Sequence, residues 1–377
     1  MPALALAAAL SLATPAFAWP AQDAPTPSAQ GAANVHLWHA AARDAIARTK
    51  PNQQAALRVL AYLSLAQHET AQQLAATDEA AWSAAFDRVS ADVLAGLLPS
   101  QAGVWQGLAA SLAAARGGDE RHADALAVAA ASAQRILSRA ASDGFDAAWT
   151  GRAPDAATAW KSQLQPARPP HLPQLGDMKT VWLANAAAVQ SPAPPQPGSA
   201  AFDAALAEVR SRAGSGAGLA RAKRWEMTGG SLVAGFWDET ALELARREGL
   251  PGPQMARAAA LSLGATLDAN IVCHRVKYTH WVARPSQADP SIRPLVGLPN
   301  HPSYPSNHSC DSTAAAAVLG ALFPRHQAAL DAMAREAGES RIDGGIHYRF
   351  DVEAGEAIGR AAAQAALRRA ANSVAGQ

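Results

Sequence analysis

Three separated blocks in the last hundred or so residues carry the side chains of this chain best suited to act together on an anion. They read Lys277-Tyr-Thr-His-Trp-Val-Ala-Arg284-Pro285, then Pro305-Ser306-Asn307-His308, then Ser340-Arg341-Ile-Asp-Gly-Gly-Ile-His347-Tyr-Arg-Phe-Asp351. Lys277, Arg284 and Arg341 supply cations, Ser306 a hydroxyl, His308 and His347 imidazoles, and Asp351 a carboxylate. That set suits a tetrahedral oxyanion: the cations hold charge, one imidazole attacks or ligates, and the other moves a proton.

The elements that must position these groups can be read from the spacing. Lys277 and Arg284 are seven residues apart, close to two helical turns, which predicts both cations on one helix face, with Pro285 ending that helix. Ser306 precedes an alanine-rich run to Phe323. That run predicts a helix beginning near His308, whose free N–H groups and dipole would seat an anion. His347 and Asp351 are i and i+4, so the carboxylate can reach one ring nitrogen and leave the other free. Gly355, Gly359 and Ala363 continue that stripe and let another helix come close, while Gly344 and Gly345 allow a turn between Arg341 and His347.

Lys, six residues, Arg-Pro; Pro-Ser-Gly-His; and Ser-Arg, five residues, His, three residues, Asp together resemble a known signature. It is that of the superfamily of type 2 phosphatidic acid phosphatases and vanadium-dependent haloperoxidases. This chain meets it at Lys277, Arg284, Pro285, Pro305, Ser306, His308, Ser340, Arg341, His347 and Asp351, and departs from it at Asn307, where the family usually has glycine. The likeness to soluble bacterial haloperoxidase-like members extends upstream through Phe236–Ala245 and Asp268, and more weakly to about Val35. A second departure is His274, where haloperoxidase relatives often carry tryptophan.

The resemblance implies roles. His347 would be the nucleophile of a phosphatase, working through a phosphohistidine, or the vanadate ligand of a haloperoxidase, with Asp351 orienting it. His308 would be the general acid and later the base. Lys277, Arg284 and Arg341 would hold equatorial oxygens, with Ser306 and the backbone N–H of Asn307 completing the cradle. Three readings follow. The first is an exported hydrolase of small phosphate monoesters that needs no cofactor. The second is a haloperoxidase using vanadate, peroxide and halide; His301, seven residues before His308, stands where bromoperoxidase-like members have histidine, or simply marks a turn. The third is a non-catalytic oxyanion binder. The sequence leans narrowly to phosphate-ester hydrolysis.

Bulk properties agree with such a protein. The 377 residues can form one large or two ordinary domains, and the net charge of +1 offers no footing for nucleic acid or anionic lipid. Abundant alanine with few β-branched runs predicts an all-α helical bundle. Residues 1–18 end in Ala16-Phe17-Ala18 and predict a signal peptide, with a periplasmic or secreted product; a buried N-terminal helix is the other reading. No later apolar run is long enough to span a membrane. Residues 19–34 are expected to be a flexible N-terminus, 35–149 a helical region, 150–200 a proline-rich connection, and 201–377 the catalytic region. Helices are predicted there at about 201–213, 219–247, 253–284, 309–323, 325–338 and 347–371.

His36, His39 and His68 lack ligand partners at metal-binding spacing and read as ordinary histidines. Cys273 lies one turn before Lys277 and Cys310 two residues after His308. If the motifs meet at one site, the two cysteines are neighbours, either as a disulfide or as two buried thiols.

Overall fold

Alanine and leucine at helical spacing through most of the chain give the architecture seen in the computed structural model, which describes residues 30–74, 78–214 and 216–375. The signal-peptide expectation lies outside them. The helices are α1 (Gln30–Thr49), α2 (Gln53–Gln73), α3 (Glu79–Leu97), α4 (Ala102–Ala115), α5 (Ala123–Ala141), α6 (Ala200–Arg212) and α7 (Gly216–Arg224). They continue as α8 (Leu232–Arg247), α9 (Gly252–His280), α10 (Pro285–Ala288), α11 (Asn307–Leu322), α12 (Gln327–Asp343) and α13 (Arg349–Ala375). Among the described residues the one β-type pairing is an isolated bridge from Ala159 to Val282. No described helix is long and apolar enough to cross a membrane.

Helix α9 is the axis, buried along most of its 29 residues and packed against α2, α8, α11 and α13. One apolar core joins Trp38, Leu57 and Leu60 from the leading helices to Leu263, Val318 and Ile358 from the later ones. The leading helices and the catalytic region therefore share a core, and the 150–200 segment runs across it. Small residues bring the central helices together. A Cβ on Gly355 would lie 2.7 Å from Ser306 O, and one on Gly359 2.7 Å from Cys310 O, so α13 lies directly on the start of α11.

Three expectations are corrected. Residues 30–34, expected to be flexible, belong to α1, because Ala32 and Val35 are buried beside Phe86 and Trp237. The single helix expected over 219–247 is broken after Arg224, where Met227 (φ 41°), Gly230 (φ 62°) and Leu232 (φ 64°) turn the chain. The third is the helix expected over 253–284: α9 ends at His280, short of Arg284.

The proline-rich segment is irregular, with short 3-10 turns at Pro173–Asp177 and Ala186–Ala188. Asp268 pins it to α9. Its buried carboxylate accepts the N–H groups of Val181 (2.5 Å), Trp182 (2.7 Å) and Leu183 (2.8 Å). Asp268→Ala leaves those donors without an acceptor. It should cost about 3 kcal/mol in urea unfolding, while Asp268→Asn, which keeps one carbonyl oxygen, should cost less.

Candidate active site

The start of α11, the end of α12 and the segment entering α13 meet at one cavity of about 420 Å³. His301, Asn307, His308, Arg341 and His347 line it, and the α1–α2 turn with Asn52 and Gln54 closes part of its rim. The sequence blocks are thus brought together from positions far apart in the chain.

Ser306 caps α11, its hydroxyl accepting the N–H of Ser309 at 3.4 Å, and its own N–H donates to Asp351 O at 2.9 Å. Asn307 is the first residue of α11, in helical backbone. No left-handed conformation requires the family's glycine there, so the departure adds an amide to the cavity wall and leaves the backbone unstrained.

Lys277 is fully buried near the end of α9. Its ammonium donates to the carbonyls of Pro302 (3.2 Å), Ser303 (3.0 Å) and Pro305, which shapes the loop leading into α11.

Arg284 is not on that helix, contrary to the seven-residue spacing argument. Helix α9 stops at His280 because Trp281 takes a left-handed conformation (φ 51°). Its ring packs against Trp149, Trp160 and Tyr278, and its carbonyl accepts the Trp160 N–H at 2.7 Å instead of extending the helix. Arg284 follows in extended backbone (ψ 155°), as a residue before proline should. Its guanidinium donates to Ile346 O (2.8 Å), His347 Nε2 (3.0 Å), His301 O (3.2 Å) and His301 Nδ1 (3.2 Å).

His347 Nδ1 lies 2.8 Å from Asp351 Oδ2, the contact expected from their spacing, although His347 precedes α13 rather than opening it. Asp351 is fully buried and also accepts from Ser303 Oγ (2.5 Å) and the Tyr348 N–H (3.1 Å). These bonds hold the Nδ1–H tautomer and leave the Nε2 lone pair to Arg284 or a ligand.

Arg341 sits on the last turn of α12, with Nε donating to Ser340 Oγ (2.9 Å) and Nη2 to Ala222 O (2.7 Å). His308 Nε2 donates to Trp225 O at 2.8 Å, so Nδ1 is the nitrogen left for proton transfer. The Ala222 carbonyl comes from the end of α7, and the Trp225 carbonyl, with Glu226 and Met227 on the cavity wall, from the α7–α8 break. Sequence reasoning missed all four; the Thr228-Gly229-Gly230-Ser231 turn signal was the available clue.

The electrostatics follow from burial. Lys277, Arg284 and Arg341 donate to carbonyls, a hydroxyl and imidazoles, and none of them forms an ion pair among the described residues. Burial pulls Lys277 down to about 8, and Arg284 and Arg341 each to about 10. It also holds His308 down at about 3 and His347 well below the usual histidine range, with the neighbouring cations adding to both shifts. Burial pushes Asp351 up to about 6, against its bond from Ser303. Three buried cations, none in an ion pair among the described residues, lie in a poorly solvated site that a multiply charged anion would suit.

Cys273 and Cys310 are neighbours beneath this pocket, as buried free thiols; the disulfide alternative is not formed. His39, read from sequence as an ordinary histidine, is fully buried, with Nδ1 2.6 Å from Asp238 and Nε2 3.0 Å from Gln67 Oε1.

This arrangement has counterparts among known proteins. The fold is that of vanadium-dependent haloperoxidases. It is similar to the first bacterial vanadium-dependent iodoperoxidase structure, with a TM-score of 0.77 and 19% identity over 92% of this chain and 98% of that one. It is also similar to a holo-type bacterial vanadium-dependent chloroperoxidase, with a TM-score of 0.67 and 14% identity over 83% of this chain and 90% of that one. Residues 258–374 match the PAP2 superfamily model. A search of curated proteins found no match.

Proposed function

We propose that this protein is a vanadate-dependent haloperoxidase that oxidises halide with hydrogen peroxide. The observation that carries the reading is the set of three buried cations, none in an ion pair among the described residues, in the same site as a His347 whose Nε2 meets Arg284. The donor set fits the cofactor: His347 Nε2 would ligate vanadate, and Lys277, Arg284, Arg341, Ser306 and the Asn307 N–H would hold its oxygens. Bound vanadate supplies Lewis-acid activation of peroxide.

The chain's own groups prepare that chemistry. Asp351 fixes the His347 ring, and Arg284 holds the ring nitrogen that faces the pocket. Burial keeps His308 neutral, so its Nδ1 can accept a proton from incoming peroxide and return it to the leaving oxygen. The likeness of the whole chain to haloperoxidase structures, leading helices included, supports the halide reading over the hydrolytic one.

Hydrolysis of phosphate monoesters is the second reading, favoured by one feature. The same Nδ1–H tautomer that makes His347 a ligand makes Nε2 a nucleophile toward phosphorus. Two assays separate the readings, one following bromination of a phenol-red-type dye with peroxide and the other hydrolysis of p-nitrophenyl phosphate, each with and without vanadate. Bromination or iodination that requires vanadate is expected. Hydrolysis that vanadate inhibits, with no halide oxidation, would replace this reading by the phosphatase one. With either activity, His308→Ala should slow turnover by about a hundredfold or more while anion binding persists.

A further inference from the structure

The cavity wall carries a carboxyl that the roles above leave unused. Asp311 lies on α11 three residues after His308, is 2% exposed, and lines the same cavity. Its hydrogen-bond partner is Asn270 Nδ2 on α9, which reaches both carboxyl oxygens, at 2.9 and 3.1 Å. Asn270 Oδ1 is buried and has no partner among the described residues. The charged and titratable groups that act on Asp311 or share its cavity are Lys277 on α9, His308 and Cys310 on its own helix, Arg341 on α12, and His171, Glu226, His301 and His347 from the intervening segments, with His274 bonded to the Asn270 carbonyl.

An oxyanion in this cavity beside an ionised Asp311 would place two negative charges in one poorly solvated space, which protonating the carboxyl relieves. Burial already pushes Asp311 up to about 7, so the proton is readily gained near neutral pH. The orphaned Asn270 oxygen then has a use. A carboxylic acid and an amide form two complementary hydrogen bonds, O–H to amide oxygen and amide N–H to carboxyl oxygen.

We infer that Asp311 takes up a proton when an oxyanion enters the cavity, and that Asn270 Oδ1 accepts the resulting O–H. The inference rests on the oxyanion reading of the site, not on which reaction follows.

Calorimetric titration of wild type and Asp311→Asn with vanadate, and separately with phosphate, tests it. Repeating each titration in buffers of different ionisation enthalpy counts the protons taken up. Above neutral pH the wild type should take up about one more proton than the variant, and its affinity should fall about tenfold per pH unit relative to the variant. Equal proton counts with binding intact would overturn the inference alone. Absence of binding to both proteins would overturn the oxyanion reading and this inference with it. If Asp311→Asn does not fold, infrared difference spectra of the wild type carry the test. A protonated-carboxyl band should grow as phosphate is added above neutral pH, and no such band would overturn the assignment.

Discussion

His347→Ala should reduce turnover by about a thousandfold or more in whichever of the two assays the wild type supports. Nε2 is the ring atom that meets Arg284, on a residue that lines the cavity, and every other candidate role depends on an anion being held against it. The loss should come with weak vanadate binding and a nearly unchanged circular-dichroism spectrum, because Asp351 keeps its bonds from Ser303 and the Tyr348 N–H. Full activity in this variant would remove His347 from the site and undo the assignment. Asp351→Asn should give a milder version of the same defect, since the amide can still engage Nδ1 but, able to donate as well as accept, no longer favours the Nδ1–H tautomer.

The largest expected effect on stability is at Gly355. At an open helical position, replacing glycine with a larger residue favours the folded state through backbone entropy, by about 0.5–1 kcal/mol for alanine. Here the added Cβ would meet Ser306 O at 2.7 Å, Ser309 Cβ at 2.7 Å and Cys310 N at 3.1 Å, two of them backbone atoms that cannot rotate away. Gly355→Val should therefore lose about 3 kcal/mol or more, measured by denaturant unfolding. It should also weaken anion binding, because the backbone it displaces is the start of α11 that carries Ser306, Asn307 and His308. A variant as stable as wild type would mean that α13 and α11 are not in the contact described.

Much of this protein was legible in the residues themselves. The apolar spacing and alanine content specify helices. The three blocks identify Lys277, Arg284, Ser306, His308, Arg341, His347 and Asp351 as one chemical set, and the glycine stripe on α13 marks a close helix contact. These features are local: helix periodicity, capping and i,i+4 reach depend on neighbours a turn away.

Other features depend on contacts across long stretches of chain, and only the tertiary structure decided them. Trp281 ends α9 because Trp149 and Trp160, more than a hundred residues upstream, hold its ring and carbonyl. Arg284 consequently reaches His347 from a loop instead of from the helix that carries Lys277. The Trp225 carbonyl selects which nitrogen of His308 is free, and the absence of carboxylate partners among the described residues leaves three buried cations in need of an anion. Asp311 reads in sequence as one more polar residue of a helix; burial opposite Asn270, with no described cation in an ion pair with it, makes it a group that can hold a proton. Side-chain identity sets which charges this chain carries. Their partners, and so their protonation and their use, are set by which segments the fold packs against them.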